Sequence, residues 1–148
     1  MLIEILQKLF NRDLNKLKAE IGSYKTESKI WSVDKSISNS AGNLCLHLVG
    51  NLSTYIGATL GNTGYIRNRE LEFSLKNIPQ KELIDKIEKT IVVVETTLSG
   101  LPEAKLKEDF PMIVFENKTS TEYMLIHLAT HLAYHLGQIN YHRRLLDC

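Results

Sequence analysis

Apolar residues recur every three or four positions through most of this 148-residue chain. In the first segment Ile3, Leu6, Phe10, Leu14, Leu17 and Ile21 form one stripe, which predicts an amphipathic helix ending near Gly22. Residues 23–39 are rich in Ser, Lys and Asp and read as a loop, with the sole tryptophan, Trp31, tucked against the helices. A second helix is expected from about Ser40 to the Gly61–Gly64 cluster, carrying Leu44, Leu48, Leu52 and Tyr55 along one side. Pro79 suits the first position of a third helix, where its missing N–H would be unpaired anyway. Leu83, Ile87, Ile91, Val94 and Leu98 then supply the stripe, and Gly100 the stop. Met112 to Phe115 is apolar but short, which predicts an extended connection rather than a sheet. Thr119 followed by Glu122 resembles a capping box opening a last helix that runs to about Leu146.

Four long helical patterns, with no second strand to pair and no internal repeat, predict an all-α four-helix bundle forming one domain over residues 1–148. The connections between the first and second and between the third and fourth helices are longer than a minimal up-down bundle needs. They leave room for a crossover, and periodicity alone does not settle the helix order. Composition narrows the partners. With 18 Lys and Arg against 17 Asp and Glu, and no basic stripe, nucleic acid is not an expected partner. The longest aliphatic run, Ile91 to Val94, falls far short of the roughly 20 residues of a membrane span. The amino terminus has no signal-peptide pattern, and two cysteines, Cys45 and Cys148, make no disulfide framework. A cytoplasmic protein without a membrane partner is the expectation.

The last helix contains HLATHLAYHLGQINYHRR, which spaces His127, His131 and His135 four residues apart. Residues four apart lie above one another on a helix, so these imidazoles share a face. Two of them can approach one metal ion at the usual distance of about 2.0–2.1 Å, but a further ligand must come from another element. His47, in NLCLHLVGN on the second helix, is the remaining histidine outside the last helix. Packed helices lie about 8–10 Å apart, which lets His47 complete a site across the bundle. The competing reading is a solvated or stacked histidine ladder. A zincin is excluded, because Leu128 and Leu132 stand where the helical protease signature needs Glu after the first His. Cys45, two positions before His47, points to a nearly opposite side and reads as a small buried residue. His142, beside Arg143 and Arg144, reads as the exposed end of the helix.

The pattern His131, His135, Gly137, Gln138 resembles the last-helix signature of the DinB/YfiT-like metalloenzymes. His47, within the segment 42–51, sits where that family places its first histidine, and the segment from Arg67 to Phe73 resembles an uncharacterised branch of the superfamily. The resemblance covers essentially the whole chain. It implies a helical bundle of DinB-like topology, a divalent metal (Zn, Ni or Fe) held by His47, His131 and His135, and a homodimer. It assigns no role to His127. Relatives include thiol S-transferases that use low-molecular-weight thiols, so a small-molecule or thiol substrate is implied by analogy, not by fold.

Three neutral imidazoles leave a metal open to water or substrate, which is the catalytic arrangement. The first functional reading is therefore a metal-dependent hydrolase or thiol S-transferase. The alternative is a non-enzymatic metal-binding stress-response or interaction module, and no catalytic acid or base can be named. Asn43, Asn51 and Gln138 can hydrogen-bond an imidazole or serve only as interhelical contacts. Gly50, Gly57 and Ala58 either leave room for a substrate or permit close packing. Arg67 and Arg69 read as an exposed charged loop before a carboxylate-binding pair, and Glu70 and Glu72 as bases only if that loop folds over the metal.

Overall fold

The structure, a computed structural model, describes residues 1–148 and contains no β-strand. Five α-helices follow one another along the chain. They are α1 (Leu2–Gly22), α2 (Ala41–Leu52), α3 (Arg69–Ser74), α4 (Gln80–Ser99) and α5 (Thr121–Leu146). A π-helical segment, Ser53–Ala58, and a last turn, Thr59–Gly61, prolong α2 without a break. Short 3-10 turns at Glu27–Trp31 and Glu103–Lys107 interrupt the two long connections.

The predicted stripes are the buried ones, except that Tyr55 and Ile91 are only partly buried at the edge of the core. Leu6, Phe10, Leu14, Leu17 and Ile21 of α1 join Leu83, Ile87, Val94 and Leu98 of α4 in one apolar cluster of 27 residues. Fully burying a side chain of this kind contributes about 1.5–3 kcal/mol, so the repeated stripe rather than any single cap holds the helices in place. α1 packs mainly on α4 and α5, and α2 packs on α3, α5 and α4, whereas α1 scarcely meets α2. This arrangement is compatible with a four-helix bundle whose first long connection crosses a diagonal. No helix is long and apolar enough to cross a membrane.

The element ends differ from expectation in informative ways. Pro79 is not the first helical residue but the cap before it, with extended backbone, and its carbonyl accepts from Glu82 N at 2.9 Å. The cap of α5 is Ser120 rather than Thr119: its hydroxyl oxygen accepts from Tyr123 N at 3.1 Å. Glu122 turns away from that cap and pairs with Lys107 at 3.0 Å. Trp31 is buried, as expected, because Gly42 presents a bare backbone to it. A Cβ there would lie 2.6 Å from the indole ring. The short helix α3 has no counterpart in the periodicity reading. It starts on Asn68, whose side chain accepts from Leu71 N at 3.3 Å.

Candidate metal centre

α2 and α5 lie side by side and bring three histidines together. The ring nitrogens that His47, His131 and His135 offer all lie within 4.8 Å of one another, close enough to hold one metal ion. His47 Nε2 stands 3.2 Å from His131 Nε2. Two imidazoles held at 2.0–2.1 Å by one tetrahedral ion place their nitrogens about 3.3 Å apart, so the spacing fits an ion between them. The rings of His131 and His135 meet edge-on at 4.5 Å, as the four-residue spacing dictates.

The outer nitrogens fix the tautomers. His135 Nδ1 lies 2.7 Å from Gln138 Oε1, and His47 Nδ1 lies 3.1 Å from Glu72 Oε1. Both of these partners are acceptors, and Arg67 Nη2, 3.3 Å from His47 Nδ1, makes its shorter bond to Glu72 Oε1, so each Nδ1 carries its proton outward and each Nε2 turns a lone pair inward. His131 Nδ1 is buried with no hydrogen-bond partner. Burial, and then the neighbouring imidazoles, push the His131 pKa down to about 4. Burial also lowers that of His135. Both rings are therefore neutral at neutral pH, the form that ligates a metal.

Glu72 reaches His47 from α3 through a notch in α2. Gly50 lies one turn after His47, and a Cβ at that position would collide with Glu72 Oε2. Arg67 closes the carboxylate from the other side, donating from Nε to Oε2 at 2.8 Å and from Nη2 to Oε1 at 2.9 Å. Burial alone would push the Glu72 carboxyl up. The hydrogen bonds from His47 and Arg67 outweigh that and hold it below the usual carboxylate range. Asn43, one turn before His47, donates from Nδ2 to Glu72 O at 2.9 Å and to Leu75 O at 2.8 Å, pinning α3 onto α2.

These contacts correct several sequence-based expectations. Arg67 is not part of an exposed charged loop, since only 13% of its side chain is accessible. Glu72 does fold over the site, but as a buried partner of His47 and Arg67 rather than as a free base. Arg69 and Glu70 remain exposed and stay out of the cluster. Asn43 binds α3 backbone, not an imidazole; Asn51, one turn beyond His47, leaves its buried Oδ1 unpaired. Gln138 does hold His135. His127 stacks 6.1 Å from His131 and meets Phe115 edge-on at 4.8 Å, outside the group of three. Cys45 is fully buried, and that burial raises its thiol to about 12, which suits a packing role.

His142 is the clearest correction. It is buried, not at an exposed end, because Tyr24 and Ser32 of the first long connection cover it. Tyr24 donates its hydroxyl to His142 Nδ1 at 2.7 Å, and His142 Nε2 donates to Ser32 O at 2.8 Å. The Glu72–Arg67 pair was the contact that spacing rules missed. The one signal for it was Gly50 inside an otherwise bulky helix, a mark of close approach by another group.

Fold and cluster together define an all-helical protein with three histidines placed to bind a metal. The chain belongs to the DUF1572 family of proteins of unknown function, whose model matches residues 3–147. Its structure is similar to the crystal structure of a conserved protein from Enterococcus faecalis, with a TM-score of 0.77 and 13% identity. That match covers 97% of this chain and 95% of the other, and at such identity it speaks to the fold alone. No curated protein is similar in sequence.

Proposed function

We propose that this chain is a DinB-like metal-dependent enzyme that binds one divalent ion through His47, His131 and His135 and activates a small nucleophile there. The observation that carries the reading is the pair of Nε2 atoms 3.2 Å apart, with Gln138 and Glu72 turning the His135 and His47 lone pairs inward. A bound divalent ion would acidify a thiol or water held against it. The chain's own residues do the rest. Glu72 orients His47, Arg67 keeps Glu72 ionised, and Gln138 fixes the ring of His135. Because Glu72 is tied up by His47 and Arg67, the site offers no free carboxylate to serve as a base. That favours a thiol, which needs less help to ionise than water, and so favours thiol transfer over hydrolysis.

The same lack of a free base supports a second reading, a non-enzymatic metal-binding module. The two separate on turnover: metal that raises thermal stability, with no turnover of thiols, esters or epoxides, supports the module. A homodimer belongs to the proposal as well. Exposed Met112, Ile113, Phe115 and Tyr123 supply an uncovered apolar surface for it. A monomeric mass in sedimentation would count against the dimer.

The central test is elemental mass spectrometry on untagged protein, since five histidines can take up nickel from an affinity column. About one ion per chain is expected, lost in His135→Ala. No ion as purified, and no uptake of Zn, Ni, Fe or Mn, would overturn the proposal.

A further inference from the structure

We infer that the histidine site works on an uncharged molecule with an aromatic or aliphatic body, laid in the groove that opens beside His135. As a substrate groove this rests on the metal reading; as a ligand groove it stands by itself.

The groove has a volume of about 450 Å³, the size of a small-molecule pocket. Its walls are Leu44 of α2 and Tyr134, Tyr141 and Leu145 of α5, and its polar groups include Asn39 and Gln138. None of its 11 lining residues is Asp, Glu, Lys or Arg. Other grooves on this chain differ. The one between α1 and α5 is lined by Arg12, Asp13, Lys16 and Glu20, and the one between α2 and α4 by Lys86 and Lys89. The groove that reaches a histidine of the cluster is thus free of formal charge.

The cluster's own surroundings agree. Phe73 lies 5.1 Å from the His47 ring, and Tyr134 lies 5.3 Å from the His135 ring. Arg67, the cation hydrogen-bonded at the cluster, spends Nε and Nη2 on Glu72 and stacks over Tyr55 at 5.8 Å. Beside the cluster a substrate carboxylate or phosphate would therefore lose water and meet no free cation; Arg144, whose guanidinium lies 5.1 Å from the Tyr141 ring, is more than two turns further along α5 than His135. The start of α2 borders the groove through Asn39 and Leu44, but Ser40 Oγ already accepts from Asn43 N there. Aromatic walls with amide and hydroxyl edges instead suit a neutral ring bearing a polar group.

The experiment compares matched probes with and without a charge. In 15N-resolved NMR of metal-free protein, benzyl alcohol is expected to shift the amides of Asn39, Tyr134 and Gln138, and benzoate is not. In cobalt-loaded protein, followed by its visible bands, benzyl mercaptan is expected to bind at least tenfold tighter than 4-(mercaptomethyl)benzoate. Tyr134→Ala should weaken both neutral probes. Asn39→Lys, an exposed position, should narrow the gap by recruiting the carboxylate. Equal or tighter binding of the anions, or neutral probes that shift no groove amide, would overturn the inference. Failure to load cobalt, with benzyl alcohol still seated in the groove, would instead remove the metal reading and leave the neutral groove standing.

Discussion

α5 contributes to two histidine sites, and they are built in opposite ways. At His142 both ring nitrogens are satisfied by the protein, one by the Tyr24 hydroxyl and the other by the Ser32 carbonyl. At His47 and His135 only the outer nitrogen is satisfied, and the inner one faces another imidazole nitrogen or the space between them. His47 and His142 are both buried, so burial alone does not distinguish the two kinds of histidine. What distinguishes them is where the lone pairs go. A ring closed on both sides joins two segments of chain; rings whose lone pairs converge ask for a cation.

The largest expected effect breaks the contrast directly. His47→Ala or His135→Ala should weaken zinc binding by more than about 100-fold, beyond the range seen for outer partners of a ligand. Competition with a chromogenic chelator reads this out. His142→Ala should leave zinc affinity within about twofold, yet lower stability by about 2–3 kcal/mol, because Tyr24 and Ser32 O lose their buried partner. If His142→Ala weakened zinc as much as His135→Ala, the division between the two sites would be wrong.

The next effect concerns the support of His47. Glu72→Gln should weaken zinc by about 10–100-fold, the usual range for loss of a carboxylate behind a ligating histidine. Gly50→Ala, although it adds only a methyl group, should do nearly the same, since the new Cβ would occupy the place of Glu72 Oε2. Zinc affinity unchanged in Gly50→Ala would mean that His47 does not depend on the notch.

Much of this was legible in the chain. The core stripes and the histidines at spacing four follow from helix geometry, and His47 followed as the remaining histidine outside α5. The Glu72–Arg67 pair did not, because its members sit in and beside a six-residue helix with no apolar stripe, placed by contacts distant in sequence. His142 was misread for a related reason. Its neighbours Arg143 and Arg144 mark a polar helix end, but its own face is covered by Tyr24, which belongs to a connection that periodicity describes only as loop. Local pattern gives the face of a helix; it does not say what arrives to cover that face.

A pH series sharpens the comparison with a smaller effect. Burial lowers the pKa of His142, while its backbone bond to Ser32 opposes that shift. Its folded value lies below the ordinary 6.5, so the unfolded chain takes up the proton first as pH falls. The stability tied to this neutral ring is therefore complete above about pH 6.5 and is lost as pH drops toward the folded pKa. Urea unfolding of metal-free protein at pH 7.5 and 5.5 should show that loss, and His142→Gln should show less of it. An equal pH dependence in the variant would remove His142 as a source.

The smallest expected effect is the one most able to redraw the site. Arg69 and Glu70 are the first two residues of the short helix that carries Glu72 and follows Arg67, but they are exposed. Surface substitutions without buried partners usually change stability by no more than about 0.5 kcal/mol, and Arg69→Ala and Glu70→Ala should fall within that range. Zinc affinity should also stay within about twofold, because neither side chain touches an imidazole. Arg67→Ala provides the contrast, since it strips Glu72 of two hydrogen bonds and should weaken zinc in step with Glu72→Gln. A loss of affinity in Arg69→Ala comparable to that in Arg67→Ala would show that the charge of the α3 segment as a whole, not the aimed carboxylate, supports His47.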